Sequence, residues 1–325
     1  MAFGEILWDL LPTGPKLGGA PVNFLYHAHK LGTEVQALTK IGNDQLGKDI
    51  LARLDGLEIP KTFVQISTER PTGTVRVHLD VNGTPSYEIV ENVAWDQIDA
   101  NAQVCKSAVD FLTANNVKGA FYYGSLALRS AYNRQSLENV VEALPPNILK
   151  ICDLNVRPPF YTREVFDFSL NVADVFKLND LEAVMLDEIF TDQIPASLEP
   201  LRGPSGEINL QAKPKREVDD LLCQWAQRWQ KRFRLQTIIL TCGSAGAYLF
   251  TDERAAFSPA VRVEVKDSVG AGDAFAAVCV VGLMNGCDEQ EIVNSASRRA
   301  AFVCSQEGGT PDIPLEEMNS INFGS

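Results

Sequence analysis

The sequence predicts a doubly wound α/β fold, with a mainly parallel sheet, helices on both faces and a small β-strand lid. Over most of the 325 residues, short apolar runs alternate with amphipathic segments, which is typical of parallel strands joined by crossover helices. Between residues 62 and 95 the pattern changes to alternating β-branched segments around the hairpin signal Asn82-Gly83. No internal repeat is visible. We therefore expect a single domain over residues 1–325, with the lid inserted at 62–95 and a contribution from about 10–17.

The other elements follow from the same periodicities. The first strand, residues 2–11, ends before Pro12, and Pro21 stands in the first turn of the next helix. Residues 190–216 hold several Pro and Gly and little apolar periodicity, so they are predicted to be a long loop. Further strands are predicted at 35–41, 118–123, 149–154, 173–178 and 237–240, with two more before Lys266. Helices are predicted at 24–31, 44–54, 100–115, 130–143, 217–233 and 288–305, and one more helix runs from the glycine turn to Asn285.

Composition limits the kinds of partner that the protein can have. The net charge of −13 argues against binding to nucleic acid or to an anionic membrane, because neither would attract this surface. The seven cysteines are scattered and mostly within apolar runs, which favours free thiols in a reducing compartment. Neither a leader-like segment nor a run of about 18 apolar residues is visible, so we expect a cytoplasmic protein.

The stretch from Val265 to Ala277 is the strongest candidate for a functional site. It predicts a strand, a tight turn containing Gly270 and Gly272, and a helix N-terminus. Backbone N–H groups and the helix dipole at such a terminus favour an anion such as a phosphoryl group. Asp273 would repel that anion unless it takes a proton from the group attacking the phosphate. Alternatively, Asp273 only caps the helix.

Polar residues also follow several predicted strands, where ligands bind in open parallel sheets. Asp9 lies at such an edge and can accept hydrogen bonds from a polyol. Asp153, Asn155 and Arg157 alternate beyond another strand, and the guanidinium of Arg157 suits phosphate oxygens. These three residues could equally form a loop-stabilising network.

The next strand ends at a candidate metal site. Asn179 and Glu182 share one face of an opening helical turn and could hold hydrated magnesium through its waters. Elsewhere, the run from Gly42 to Lys48 resembles a P-loop but lacks the Ser or Thr that should follow it, so we treat it as coincidence. His27 and His29 lie two apart on a helix and face different sides, so both are interpreted as structural.

Several motifs resemble those of one family. The run Asp-Ser-Val-Gly-Ala-Gly-Asp-Ala-Phe at 267–275 resembles the C-terminal signature of the ribokinase or PfkB family of carbohydrate kinases, with Ser268 where Thr is common. Gly-Gly-Ala-Pro-Val-Asn at 18–23 and Asp-Leu-Asn-Val-Arg-Pro at 153–158 are most similar to fructokinases. Five such motifs occur in the family's order.

This resemblance implies an ATP-dependent sugar kinase that phosphorylates a primary hydroxyl, most simply converting fructose to fructose 6-phosphate. A 2-keto-3-deoxygluconate kinase and a non-catalytic sugar- or nucleotide-binding protein of the same ribokinase-like fold are the alternatives. The lid would close over the sugar and could form a homodimer. ATP, Mg²⁺ and K⁺ are the implied cofactors.

The resemblance also implies a role for individual residues. The catalytic residues would be Asp273 as base, with Gly270, Ala271, Gly272 and Arg157 stabilising the transferred phosphoryl group. The sugar would contact Asp9, Gly18, Gly19, Asn23, Gly42, Asp44, Asp153, Asn155 and Asp273. The nucleotide would contact Asn179, Thr241, Gly243, Gly246, Gly270, Gly272 and Asn294. Magnesium would bind through water at Glu182 and Asn179, and potassium at Asp267 and Val269.

Overall fold

Two sheets of unequal size organise the chain. The computed structural model describes residues 1–11, 14–79, 85–114, 118–194, 197–251, 254–321 and 323. The strands are β1 (Ala2–Phe3), β2 (Leu7–Leu11), β3 (Gly14–Gly18), β4 (Ala37–Gly42), β5 (Val64–Ser67), β6 (Gly73–Leu79), β7 (Pro85–Ile89), β8 (Ala120–Gly124), β9 (Leu149–Asp153), β10 (Val175–Asn179), β11 (Thr237–Thr241), β12 (Ala247–Thr251) and β13 (Ala255–Ser258). The α-helices are α1 (Ala20–His29), α2 (Gln45–Gly56), α3 (Ala102–Leu112), α4 (Ala131–Ala143), α5 (Arg163–Val172), α6 (Asp180–Ile189), α7 (Lys215–Phe233), α8 (Ala271–Asn285), α9 (Glu289–Cys304) and α10 (Leu315–Asn319).

The large sheet has nine strands in the order β13-β12-β11-β10-β9-β8-β1-β4-β5. All neighbours are parallel except at one edge, where β12 and β13 run antiparallel. One apolar core packs α3 to α7 against one face, and a second core packs α1, α2, α8 and α9 against the other. The predicted doubly wound α/β fold is therefore confirmed.

The predicted first strand is divided between the two sheets at Gly4. β1 pairs with β4 and β8 in the large sheet, whereas β2 pairs with β3 and β6 in the small one. Gly4 has φ +146°, and a Cβ there would lie 2.9 Å from the ring of Pro21. Only glycine tolerates this backbone and this close approach. The change of direction after β1 places the residues that follow it at the carboxyl edge of the large sheet.

The small sheet has the order β3-β2-β6-β7. Its β2 and β6 strands are parallel, and its outer pairs are antiparallel. The range predicted for the lid, 62–95, needs a correction, because β5 within it pairs with β4 in the large sheet. The Asn82-Gly83 turn lies outside the described residues.

The described residues between α6 and α7 form the long loop that the sequence predicted, with one short 3-10 turn at Glu199–Leu201, and this loop is packed against the core rather than open to solvent. Ile194, Leu198, Leu201 and Ile208 are buried in the core beneath α6 and α7. The carboxylate of Asp187 accepts N–H groups from residues 197 and 198, at 2.6 and 3.0 Å. These apolar residues follow the contour of the core, so they carry no helical or strand period.

Three further elements differ from the expectations. The helices α5 and α10 were not predicted, and residues 261–266 do not form the strand expected before the glycine turn. Val261, Val263 and Val265 are exposed, because the sheet ends at β13 and provides no partner for them. Alternation alone thus indicated an extended chain without showing whether a neighbouring strand exists.

All seven cysteines are free thiols. Within the described ranges, no helix combines the length and apolarity needed to cross a membrane.

Candidate active site

The glycine turn before α8 is shaped by a backbone contact. Gly270 has φ +78°, and a Cβ there would lie 2.4 Å from the Cα of Gly309. Gly270 occupies the N-cap position, no side chain caps the helix, and Asp273 is the third helical residue. The interpretation of Asp273 as a simple N-cap is therefore wrong. Among the described residues no side chain caps the first N–H groups of α8, and apart from a 3.3 Å contact of Ala271 N with the carbonyl oxygen of Ser268 they can face an anion.

Asp273 is buried within the first turn of α8, with 7% of its surface exposed. Asn23 Nδ2 donates a hydrogen bond to its Oδ2 at 2.8 Å. Burial, followed by the charge of Asp153, raises the pKa of Asp273 to about 6, while Lys177, Asn23 and Arg157 act in the opposite direction. At neutral pH the group is mostly ionised and can accept a proton.

Lys177, a residue that the sequence interpretation missed, lies beneath this turn. Its Nζ is 3.0 Å from Asp153 Oδ1 and would be 3.0 Å from a Cβ at Gly272. Burial opposes its charge, but the carboxylates of Asp153, Glu182 and Asp273 outweigh burial and raise the pKa of Lys177. The sequence signal was a lysine inside the apolar strand β10.

Asp153 supports Lys177 from a buried position. Its side chain is fully buried, and Tyr122 donates its hydroxyl to the second oxygen at 3.1 Å. Both oxygens of Asp153 thus hold protein groups, and its contact with the sugar stays a prediction. Beyond Asp153, Asn155 adopts φ +39° and Arg157 is exposed. Burial raises the pKa values of Asp9 and Asp273, and the charge of Arg157 offsets part of both rises, so Arg157 acts on the same site.

Glu5 is a second residue missed from the sequence. It follows β1, is buried, and accepts the N–H of Ala20 at 3.3 Å through Oε1, while Oε2 has no hydrogen-bond partner among the described residues. Burial raises its pKa to about 7, and the charge of Asp273 adds to the shift. The sequence signal was an acidic residue between apolar segments. Gly19 packs directly on the backbone of Glu5.

The small sheet brings Asp9 and Gly18 together. Both lie on paired strands, and a Cβ at Gly18 would come within 2.5 Å of Asp9 Oδ2. Burial raises the pKa of Asp9, and the nearby Arg157 partly offsets that rise. A carboxylate at this position can accept hydrogen bonds from hydroxyl groups.

Asp44 links the large sheet to the small one. Its Oδ1 accepts Gly47 N at 2.8 Å, which caps α2, and Thr72 Oγ1 at 2.6 Å. Its Oδ2 accepts Thr72 N at 2.8 Å, just before β6 begins. Burial alone would raise the pKa of Asp44, but these hydrogen bonds outweigh it and lower the pKa. Gly42 also packs against the backbone of Thr72.

Asn179 and Glu182 form a capping box at the start of α6. Asn179 Oδ1 accepts Glu182 N at 2.9 Å, and Glu182 Oε2 accepts Asn179 N at 2.8 Å. Glu182 Oε1 accepts Val156 N at 2.7 Å, so both oxygens already hold backbone groups. Among the described residues, no group of three or more His, Cys, Asp or Glu side chains could hold a metal ion.

The other residues predicted for the nucleotide lie nearby on β11 and α9. Thr241 is the register partner of Asn179, which places it at the same sheet edge. Gly243 and Gly246 shape the turn after β11, with φ +50° and +118°. Asn294 lies on α9, half-buried, and accepts Gln290 Nε2 at 3.0 Å.

Asp267 joins two backbone segments beside the glycine turn. Its Oδ1 accepts Val269 N, and its Oδ2 accepts Gly308 N, each at 3.0 Å. The side chain thus connects the start of the glycine turn to the segment 306–311.

Comparisons with known proteins place this chain and its fold among carbohydrate kinases. Residues 14–316 match the family described as pfkB family carbohydrate kinase. The chain belongs to this family, as its motifs predicted.

Individual relatives are 19% to 25% identical to this chain. A 2-dehydro-3-deoxygluconokinase from Thermoproteus tenax is 24% identical over 92% of this chain and 82% of its own length. A probable fructokinase-5 from Arabidopsis thaliana is 25% identical over 97% of this chain and 94% of its own length. A fructokinase from Xylella fastidiosa, solved with bound ATP, has a TM-score of 0.73 and 19% identity, covering 99% of this chain and 97% of its own.

Proposed function

We propose that this protein is an ATP-dependent sugar kinase that transfers the γ-phosphoryl group of ATP to a primary hydroxyl, with fructose to fructose 6-phosphate as the favoured reaction. The observation that supports it most is a buried, ionisable Asp273 in the first turn of α8, beside uncapped N–H groups. A base and an anion site are then adjacent, as phosphoryl transfer to a hydroxyl requires.

In this proposal Asp273 accepts the proton of the attacking hydroxyl, and Asn23 holds its carboxylate in place. The N–H groups at Gly270, Ala271 and Gly272 stabilise the charge on the transferred phosphoryl group. Arg157 and the buried cation of Lys177 add positive potential to the same site.

The nucleotide would lie along the carboxyl edge formed by β10 and β11. The turn containing Gly243 and Gly246 would contact it, and Asn294 would lie at its far side. Magnesium, when bound, neutralises phosphate charge. Glu182 fits this group only through metal-bound water, because both of its oxygens hold backbone N–H groups.

On the sugar side, Asp9 and the Oδ1 of Asn23, which has no hydrogen-bond partner among the described residues, would accept hydrogen bonds from hydroxyl groups. The small sheet would act as the lid, with Asp44 and Thr72 at its junction with the large sheet.

The test is ADP release by the purified protein with ATP, Mg²⁺ and a panel of sugars and nucleosides. We expect turnover with fructose and a loss of about 10²-fold or more in Asp273→Asn. No ADP release with any acceptor, or near-full activity in Asp273→Asn, would contradict the proposal. Binding of ATP and sugar without turnover would identify a non-catalytic protein instead.

A 2-keto-3-deoxygluconate kinase is the second candidate, because one relative carries that activity in its name. An acidic sugar needs a cation near the sugar site. Lys16 is exposed and is the register partner of Asp9 on the small sheet, so it lies on the same face. We compare fructose with the sugar acid at equal concentration, in wild type and in Lys16→Met. A preference for the acid that Lys16→Met abolishes would favour this candidate.

Potassium is a separate proposal at Asp267 and Val269, where carbonyl groups near residues 306–309 could hold the ion. The carboxylate of Asp267 already ties these segments together, which is the alternative that needs no ion. Replacing potassium with tetramethylammonium at constant ionic strength distinguishes the two, since an unchanged turnover number excludes the ion.

A further inference from the structure

His27 is buried completely inside the protein, one helical turn from Asn23 on α1. Its Nε2 lies 3.0 Å from the carbonyl oxygen of Gly309. A carbonyl oxygen can only accept, so Nε2 must carry the proton. Burial lowers the pKa of His27 to about 3, so the ring is neutral and Nδ1, which has no partner in the part of the chain that the structure describes, is unprotonated. One tautomer is thereby selected.

The carbonyl that His27 holds belongs to the residue on which the glycine turn rests. The Cα of Gly309 would lie only 2.4 Å from a Cβ at Gly270. Gly309 also packs against Asn23, whose amide would be 2.8 Å from a Cβ at residue 309. Any displacement of Gly309 would therefore affect both the anion-binding turn and the residue that holds Asp273.

The segment containing Gly309 is held from both sides. Asp267 accepts the N–H of Gly308 from the glycine-turn side, and His27 donates to Gly309 from the α1 side. The backbone of residues 308–309 thus bridges α1 and the start of α8. On the α1 side the Tyr26 hydroxyl also donates to the carbonyl oxygen of Pro311, two residues beyond Gly309, so His27 is the contact from α1 that acts on Gly309 itself.

We propose that His27 is a positioning residue for phosphoryl transfer, acting through the Gly309 carbonyl to fix the Gly270 turn. This inference rests on the proposed kinase function. Donors that are aimed before the reaction cost no reorganisation in the transition state, and small misplacements are expensive. Loss of the hydrogen bond should therefore lower kcat more than it raises the KM for sugar.

The competing explanation is that His27 only fills space. Its ring packs edge-on against Tyr26, with centroids 5.1 Å apart, and such a contact needs no donor. Gln and Met separate the two explanations because they have similar size and flexibility, and only Gln carries a terminal N–H donor that can reach the carbonyl. His29, two residues away and partly exposed, provides a control on the same helix.

The experiment compares wild type with His27→Gln, His27→Met and His29→Leu. We expect His27→Met to lose roughly 10- to 100-fold in kcat with little change in the KM for sugar. His27→Gln should recover most of this loss, and His29→Leu should match wild type. Equal activity of the Gln and Met variants would overturn the proposal.

Two measurements test the inference independently of turnover. Hydrogen exchange of the peptide 268–275, without ligand, should be faster in His27→Met than in His27→Gln. If the wild type has no kinase activity, the proposed function fails while this comparison still tests the link to the turn.

The second measurement needs no variant and applies even if His27→Met does not fold. Nitrogen-15 NMR of the three histidines in wild type should show one neutral ring protonated at Nε2 across the accessible pH range. A His27 ring protonated at Nδ1 could not donate to Gly309 and would overturn the proposal.

Discussion

Lys177 and Asp153 form a buried ion pair, with Nζ and Oδ1 3.0 Å apart, directly beneath the first turn of α8. The pair places a positive charge inside the protein at the point where the glycine turn meets the carboxyl edge of the sheet. Three carboxylates, on Asp153, Glu182 and Asp273, surround that single ammonium group. The ammonium group therefore limits their mutual repulsion and adds positive potential at the anion site.

We expect Lys177→Met to lower kcat and to move the acidic limb of the pH–rate profile to higher pH, because the pKa of Asp273 rises when this cation is lost. It should also cost about 3–5 kcal/mol of unfolding free energy, since Asp153 is left buried and unpaired. Stopped assays from pH 5 to 9 and urea unfolding measure the two effects.

The matched control is Lys150→Met. Lys150 pairs with Asp174 at the opposite ends of the same two strands, with both side chains 18% exposed. The Lys150→Met variant should leave kcat and the pH–rate profile unchanged. An unaltered profile in Lys177→Met would contradict the proposed electrostatic link.

The raised pKa of Asp273 predicts an acidic limb in the activity of the wild type. A base must be ionised to act, so kcat/KM should fall about tenfold per pH unit below pH 6. A pH-independent rate between pH 5 and 8 would show that Asp273 does not act as the base.

The same shift couples Asp273 to stability. In the folded protein the pKa of Asp273 is about 6, above its ordinary value of 3.8. The contribution of Asp273 to the free energy of unfolding is therefore fully present below pH 3.8 and is lost as the pH rises to about 6. The Asp273→Asn side chain cannot ionise, so the variant does not lose this stability as the pH rises. At 1.36 kcal/mol per pKa unit, the variant should gain about 3 kcal/mol over wild type at pH 8 and about half as much at pH 5. Urea unfolding at both pH values tests this, and an equal gain at both would contradict it.

Gly270→Ala should disrupt the anion site. The new Cβ would meet the backbone of Gly309 at 2.4 Å in a conformation with φ +78°, so the turn must move. We expect a loss of about 10²-fold or more in kcat, measured by ADP release.

Gly286→Ala is the control for backbone strain alone. Gly286 ends the same helix with φ +69°, and nothing lies within 4 Å of its added Cβ. It should lose about 1 kcal/mol of stability and keep full kcat. Similar activities in the two variants would exclude a special role for the Gly270 turn.

Asp44→Ala should raise the KM for sugar. The change removes the cap of α2, worth about 1 kcal/mol, and also the link to Thr72 where the small sheet begins. The control is Asn101→Ala, which removes the cap of α3. The side-chain oxygen of Asn101 accepts hydrogen bonds from residues 103 and 104 of that helix, so this change leaves the link between the two sheets in place. We expect Asp44→Ala to lose more stability in thermal unfolding than Asn101→Ala, because it also removes two hydrogen bonds from Thr72, and we expect only Asp44→Ala to affect KM. A normal KM in Asp44→Ala would show that the junction does not govern sugar binding.

The sequence alone determined the fold class and the motif-bearing segments. Apolar periodicity reports burial locally, so the parallel strands, their helices and the Gly270 turn could be recognised without contacts. It also placed Asp273 at a helix start. Local pattern could not decide whether Asp273 caps the helix, because capping depends on where the helix begins.

Only the tertiary structure decided which groups face each other. Lys177, Glu5 and His27 each stand in an apolar run, and their roles depend on partners that lie 15 or more residues away in the chain. The tertiary structure also decided that β5 pairs with β4 and that Val261, Val263 and Val265 are exposed. A β-branched segment does not itself show which strand, if any, lies beside it. Side-chain burial and pairing are set by the whole fold, whereas strand and helix periods are set by neighbouring residues.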